Sequence, residues 1–544
     1  MKKLLILTVF ILLAGCSAPV SEELIPSEEI EITSTVKDLT LGRTLQLTAQ
    51  ILPATAKQEF LYSSDNEQVA SVDGNGLVSG VGVGNTIISV YAKDNVMLFD
   101  QIRISVYDDE QDEALLAAAI SQVSSLIPPI VEADLNLPSS IDGVNITYQS
   151  SNTYSLRHNG QIIPAATDQS VGLEVTFTKG RQTESRNYEM TIKKYTLKEL
   201  SNRKVFFTYL YDPAQSQNFQ GFRAGDLDRI DVINYSFGGI RDGKVSIAGF
   251  GHFEEVMKAH EKGVRVVLAI GGWGVGGFSE AVASAQTRTV FIQSIMEVIQ
   301  NYHFDGIDID WEYPTSTAGG LISASVDDRV NFSVFMKELR LAMDQLDENL
   351  ILSCAVAAGT YAASNYYEVS ELNKYIDYLH IMTYDMINYS TYQTTHHSNL
   401  FASIHSTFSV AQAVEAYTSR GMAKDKIVIG AAYYGHLFVP TGSDQNGISQ
   451  PSNRDLKGTI SYKRIVEEYL NNPLYTVFTD QTAQAKWIYG NNTFISYDDE
   501  TSVQAKANYV LDQGLAGVMV WEYCKDDAAS SLTKAIYNQL SGNN

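Results

Sequence analysis

The chain has 544 residues, with 39 Lys plus Arg against 63 Asp plus Glu and a formal net charge of −24. That balance argues against a nucleic-acid binder, since phosphate recognition needs clustered cations, and a 44% hydrophobic content excludes disorder throughout the chain. At roughly 150 residues per domain, three or four folded units are expected.

Lys2 and Lys3 followed by the apolar run from Leu4 to Leu13 form an address segment, too short to span a bilayer as a mature helix. The LAGC that follows resembles the lipobox of bacterial lipoproteins, which implies cleavage after residue 15 and lipidation of Cys16. The expected location is therefore a bacterial cell surface or extracytoplasmic face, held to a membrane by lipid. Residues 16–29, with Pro19, Pro26 and four Glu, read as an acidic tether. Two further cysteines, Cys354 and Cys524, make no metal pattern.

Residues 30–107 alternate in short β-type runs (EIEI, TLQLTAQI, TIISVYA) punctuated by Gly, Asp and Asn. The stretch from Tyr62 to Gly84 resembles the bacterial Ig-like group 2 domain, which implies a small β-sandwich used as a spacer or adhesive module. Residues 111–195 open with a helical pattern, EALLAAAISQVSSL, and return to β. There YQSSN at 148–152 and Asn159-Gly160 echo Tyr62 to Asn66 and Asn75-Gly76, so a second, degenerate Ig-like module is expected.

From residue 200 the rhythm changes. Eight apolar runs, from KVFFTYL at 204 to AGVMVWEY at 516, alternate with amphipathic helical patterns. Near-continuous apolar strands suit a parallel sheet buried on both faces. The expected fold is a (β/α)8 TIM barrel, with its chemistry at the C-terminal ends of the strands. About 65 residues separate Gly435 from the last helix before the eighth strand, far beyond an ordinary loop. A small α+β insertion at about 436–500 is therefore expected.

The segment DGIDIDWEYP, from Asp305, puts four carboxylates into eight residues of an apolar strand, an expensive burial without a task. Alternation sends Asp308, Asp310 and Glu312 to one face, about 6.5–7 Å apart in succession. Crowded carboxylates do not all ionise, so at least one holds a proton near neutral pH. A protonated carboxyl at a pocket mouth is a general acid. The alternatives are a structural polar network or a metal site. Asp305 has the opposite parity and reads as structural.

DGIDIDWEYP is similar to the DxxDxDxE signature of glycoside hydrolase family 18, the chitinase family. AIGG from Ala269, MTYD from Met382 and VMVWE from Val518 resemble its strand 3, 6 and 8 motifs, so the resemblance covers about the last 340 residues. It implies substrate-assisted hydrolysis with retention, the acetamido oxygen of the sugar acting as nucleophile through an oxazolinium intermediate. Glu312 would be the acid and then the base. Asp310 would hold the acetamido N–H, Asp308 would support Asp310, and Tyr384 with Asp385 would position the acetamido group. Trp521 would floor the subsite of the cleaved sugar. Met382, Tyr434, Trp273 and Tyr209 are further substrate-binding candidates, while Trp311 is expected to point outward.

The chain departs from the family pattern at Ala269 (usually Ser), at His436 (often Arg) and at Met386 to Asn388. The implied substrate is chitin or chito-oligosaccharide. The alternatives are an endo-β-N-acetylglucosaminidase acting on N-linked glycans, peptidoglycan as substrate, or a non-catalytic carbohydrate-binding surface protein. No cofactor is called for. The adjacent His396 and His397, in a Ser/Thr/Asn-rich loop, read as surface residues rather than metal ligands. The expected partners are N-acetylglucosamine-containing glycans and, through the anchor, a membrane.

Overall fold

A computed structural model describes residues 25–163, 165, 167–213, 218–320, 322–387, 393–453 and 458–542; Cys16 and Asn388 lie outside them. The eight apolar runs form β1 (Val205–Tyr211), β2 (Val232–Arg241), β3 (Arg265–Gly271), β4 (Gly306–Asp310), β5 (Ile351–Ala357), β6 (Tyr378–Met382), β7 (Ile427–Ala432) and β8 (Gly517–Trp521). All pair in parallel with their neighbours, and the β1–β8 and β1–β2 pairings close the ring. The expected (β/α)8 barrel is the observed fold.

Period-2 alternation gives the barrel two apolar layers. Ile307, Ile309 and Trp311 of the acidic strand pack outward against helices, while Phe207, Val267, Ala269, Val428 and Met519 fill the lumen. The helices α1 (Ala285–Tyr302) and α2 (Asp328–Leu346) present buried residues every three or four positions: Phe291, Ile295 and Ile299 on α1, and Phe332, Phe335, Met336, Leu339 and Met343 on α2. Ser284 caps α1 reciprocally with Thr287, satisfying two otherwise orphaned donors. Trp311 stacks on Phe278 with ring centroids 5.2 Å apart and is buried, as its parity requires.

Between β7 and α3 (Glu500–Gln513) lies an antiparallel five-stranded sheet. Its order is Thr459–Ser461, Tyr434–Phe438, Thr493–Tyr497, Ala485–Gly490 and Thr476–Asp480.

The region 29–107 is strand-rich and Ig-like. It contains a four-stranded sheet (Asp38–Thr40, Asn95–Tyr107, Gly84–Ala92, Phe60–Ser64), a three-stranded sheet and a two-stranded pair around Val78, Ile88 and Ile104 on one side and Ile51, Val90 and Ala92 on the other. Gly76 there has φ 79°, and a Cβ on it would meet the Tyr62 ring at 2.7 Å, so the turn in the motif admits only glycine. Next come a helix, Asp109–Leu126, and a mixed five-stranded sheet built from strands between Ile130 and Ile192. Gly160, the counterpart of Gly76, also has positive φ and lies against the Leu135 carbonyl.

The described chain divides into two compact units. One runs to Pro128 and adds Asn136–Gln149 and Leu173–Tyr188; the other comprises Pro129–Leu135, Ser150–Gly172 and Glu189 onward. No helix among the described residues is long and apolar enough to cross a membrane.

Candidate active site

Register sets the floor of the site. Asp308 on β4 lies beside Ala269 of β3 and Ser353 of β5, and Asp310 lies beside Gly271. A small residue on one side and a hydroxyl on the other leave room for a carboxylate in the lumen. Asp308 is fully buried with a donor on each oxygen: the Tyr209 hydroxyl on Oδ2 at 2.6 Å and the Ser353 hydroxyl on Oδ1 at 2.6 Å. His380 of β6 stands behind, its Nδ1 3.0 Å from the Tyr209 hydroxyl and 3.5 Å from Asp308 Oδ1. Such pairing is what makes a buried carboxylate tolerable.

Asp310 is also buried, but its Oδ1 has no partner among the described residues. Burial, and then the charges of Glu312 and Asp308, push its carboxyl well above the usual range. Ladder pairing of β4 ends at Asp310, yet Glu312 keeps the inward direction and lines the cavity above it. Burial raises Glu312 to about 7, aided by the charge of Asp385 and opposed by the hydroxyl of Tyr313. These carboxyls therefore favour carrying protons, the condition of a general acid.

A cavity of about 520 Å³ opens over them, lined among others by Tyr209, Phe237, Trp273, Met382, Tyr384 and Trp521. It shares Trp273, Glu312, Met382, Tyr384 and Asp385 with a second cavity of about 1430 Å³, so the two form one cleft running past Ile404, Phe408 and His436. Trp521 lies nearly parallel to Phe237, with centroids 5.5 Å apart, and the Lys525 ammonium is 5.8 Å from its ring. Trp273 is 63% exposed, an open apolar face on the cleft wall. The Tyr384 hydroxyl is 3.8 Å from the Met519 sulfur, a weak contact that leaves it free for a better acceptor. Asp385 Oδ1 accepts from the Tyr434 hydroxyl at 2.5 Å and lies 2.6 Å from His436 Nε2. Its side chain is half exposed, yet the protein walls of the cleft around it oppose its ionisation; the bond to His436 and the charges around it outweigh that and hold Asp385 below the usual carboxylate range.

The structure thus brings together nine of the expected site residues: Asp308, Asp310, Glu312, Tyr384, Asp385, Trp521, Met382, Trp273 and Tyr209. Tyr434 joins them through Asp385. Asp305 lies outside the lumen, where Oδ2 accepts from the Val266 amide at 2.7 Å and faces His260 Nε2 at 2.6 Å. One expectation fails: His396 and His397 are fully buried, not on the surface. Their loop is polar yet enclosed, because its side chains find backbone partners; Thr394 donates to the Gly447 carbonyl at 2.6 Å and Thr395 to the His405 carbonyl at 2.7 Å. Sequence reasoning missed Ser353, His380 and Phe237. Ser353 sits one strand over in the same register as Asp308, a relation that no local sequence pattern carries.

A closed parallel barrel with a ladder of protonatable carboxyls beneath an aromatic-lined cleft defines the class: a (β/α)8 barrel with an acid–base site at the C-terminal ends of its strands. The sequence model of glycosyl hydrolases family 18 matches residues 205–526, more than half of the chain, and the chain belongs to that family. The model of the bacterial Ig-like domain (group 2) matches residues 26–97. Chitinase A1 of Niallia circulans is 30% identical over 295 residues, covering 50% of this chain and 42% of that protein. The endochitinase of Manduca sexta is 27% identical over 333 residues, 55% of this chain and 59% of that one. The chain thus spans about half the length of these relatives. Among solved structures, a family 18 N-acetylglucosaminidase from Paenibacillus barengoltzii superposes with a TM-score of 0.57 at 32% identity, covering 62% of this chain and 99% of that one.

Proposed function

We propose that this chain hydrolyses β-1,4 linkages of N-acetylglucosamine polymers or oligomers, chitin and its fragments, with retention and with the substrate acetamido group as nucleophile. The observation that carries the reading is the vertical pair Asp310–Glu312. One acid with a pKa of about 7 stands at the cleft, above a buried carboxyl whose Oδ1 has no partner among the described residues. Glu312 protonates the leaving glycosidic oxygen and, as carboxylate, then takes a proton from water. Asp310 accepts the acetamido N–H and stabilises the positive charge that develops on the ring formed by its carbonyl oxygen. Asp308 fixes Asp310 from below, Tyr384 donates to the acetamido oxygen, and Trp521 carries the apolar face of the sugar.

The test is product analysis with a chito-oligosaccharide, wild type beside Glu312→Gln. Shorter oligomers from the wild type and none from a folded, sugar-binding mutant are expected. A fully active Glu312→Gln would refute the mechanism. Cleavage of a high-mannose glycoprotein in preference to the chito-oligosaccharide would move the substrate to N-linked glycans, and release of monosaccharide alone would mark an N-acetylglucosaminidase.

We also propose that Cys16 carries a lipid that holds the enzyme at an extracytoplasmic membrane face. Labelling with a fatty-acid analogue that is lost in Cys16→Ser would support this, and equal labelling of both would refute it.

A further inference from the structure

We propose that Asp385, His397 and His436 form a binding site for a divalent cation of the zinc type, set in the cleft wall beside Glu312. The three come from separate segments. Asp385 follows β6, His397 lies on the loop after it, and His436 lies on the first strand of the inserted sheet. One ligand atom from each lies within 4.8 Å of the other two.

His397 is the strongest sign of a ligand. It is fully buried, and neither ring nitrogen has a hydrogen-bond partner among the described residues. A buried imidazole without partners is costly unless something takes its lone pair. Its backbone is also fixed. The His397 amide donates to Ser496 Oγ at 3.0 Å, and the adjoining Ser398 hydroxyl donates at 2.9 Å to Asp498, which pairs with the buried Lys506.

Asp385 supplies the way in, because its side chain is 48% exposed in the cleft. The Tyr434 hydroxyl, donating to Asp385 Oδ1, is the kind of outer partner that orients a ligating carboxylate. Tetrahedral zinc has bonds of about 2.0–2.2 Å, which separates its ligand atoms by about 3.3–3.6 Å. Seating the ion therefore takes shifts of about 1 Å: the 2.6 Å pair of Asp385 and His436 widens, and the distance to His397, at most 4.8 Å, narrows. At His436 the cation takes the place of the direct contact between Nε2 and Asp385, bonding both atoms instead. Two imidazoles and one carboxylate favour zinc, cobalt, nickel or copper over magnesium and calcium, which prefer oxygen alone.

Occupation would engage Asp385 and place two positive charges beside Glu312, so the ion should inhibit hydrolysis. That consequence rests on the function proposed above; binding itself does not.

The experiment is calorimetric titration of the untagged, chelator-stripped full chain with Zn²⁺, and with Co²⁺ for its visible absorption. One ion per chain and a tetrahedral Co²⁺ spectrum are expected. His397→Asn should weaken binding by at least about 100-fold, since loss of an outer partner alone costs about 10–100-fold. Asp385→Asn, at a half-exposed position that leaves the core untouched, should do the same and decides the matter if His397→Asn does not fold. His405→Asn, outside the trio, should bind as the wild type does. No measurable binding, or binding that survives both His397→Asn and Asp385→Asn, would overturn the proposal. Tight binding that depends on His397 yet leaves turnover untouched would uphold the site and overturn the acetamido-positioning role of Asp385.

Discussion

Asp308 hangs on two hydroxyls, one per oxygen, and Tyr209→Phe removes one of them cleanly. The ring stays, so its edge contacts with His380 and Trp521 and its place in the lumen wall are kept. What is lost is the 2.6 Å bond to Oδ2, together with the 3.0 Å contact of the same hydroxyl with His380 Nδ1. A hydrogen bond to a charged group contributes about 1.5–3 kcal/mol. If Asp308 steadies Asp310 during the chemical step, that loss falls on the transition state as a drop of about 10- to 150-fold in kcat. KM should move less than about threefold, because the Tyr209 hydroxyl is already engaged by Asp308. Ser353→Ala strips the other oxygen and should cost a similar factor. The double variant should depart from the product of the two, since both donors serve one carboxylate. The assay is steady-state hydrolysis of a chromogenic chito-oligosaccharide, with urea denaturation alongside to measure folding. If both single variants keep kcat within twofold while losing stability, Asp308 is a packing residue and its role in catalysis falls.

Other consequences are as direct. Because the Glu312 acid has a pKa of about 7, kcat/KM should fall tenfold per pH unit above that value, and Glu312→Gln should abolish this limb along with at least about 10²-fold of the rate. The folded pKa lies above the ordinary 4.5, so the stability contributed by protonated Glu312 is full below pH 4.5 and lost as pH rises through 7. Glu312→Gln should accordingly be more stable than the wild type at pH 8, by about 3 kcal/mol at most, in paired denaturation curves. Trp273→Ala should raise KM for oligomers by about tenfold and leave the urea midpoint unchanged, because the ring is mostly exposed and stacking is its contribution. Lys506→Met leaves Asp498 charged and buried, and should destabilise the barrel unit by about 3–5 kcal/mol in the same unfolding assay.

Much of the site was legible because a strand has period 2. Asp308 and Asp310 face inward, Asp305 and Trp311 do not, and all four follow from counting along DGIDIDWEYP. The barrel was legible because only a sheet buried on both faces calls for eight such apolar runs. What stayed hidden depends on contacts between distant segments. Ser353 reaches Asp308 through strand register, which no local pattern reports. The burial of His397 is hidden more deeply: a loop rich in Thr, Ser and Asn looks solvated, and only the inserted sheet, about 100 residues further on, encloses it and supplies its partners.

A single residue, Tyr433, separates β7 from the strand that begins the inserted sheet. Its amide donates to the Trp521 carbonyl at 2.9 Å, and its carbonyl accepts from the Tyr462 amide at 2.9 Å. The far wall of the cleft is therefore spliced into a barrel strand rather than hung beside it on a flexible loop. Tyr433, bonded on both sides, is a poor place for the change in φ and ψ that a lid's hinge must absorb. On the proposed function, a long sugar chain is then laid into a groove whose width is set when the barrel folds, or threaded along it.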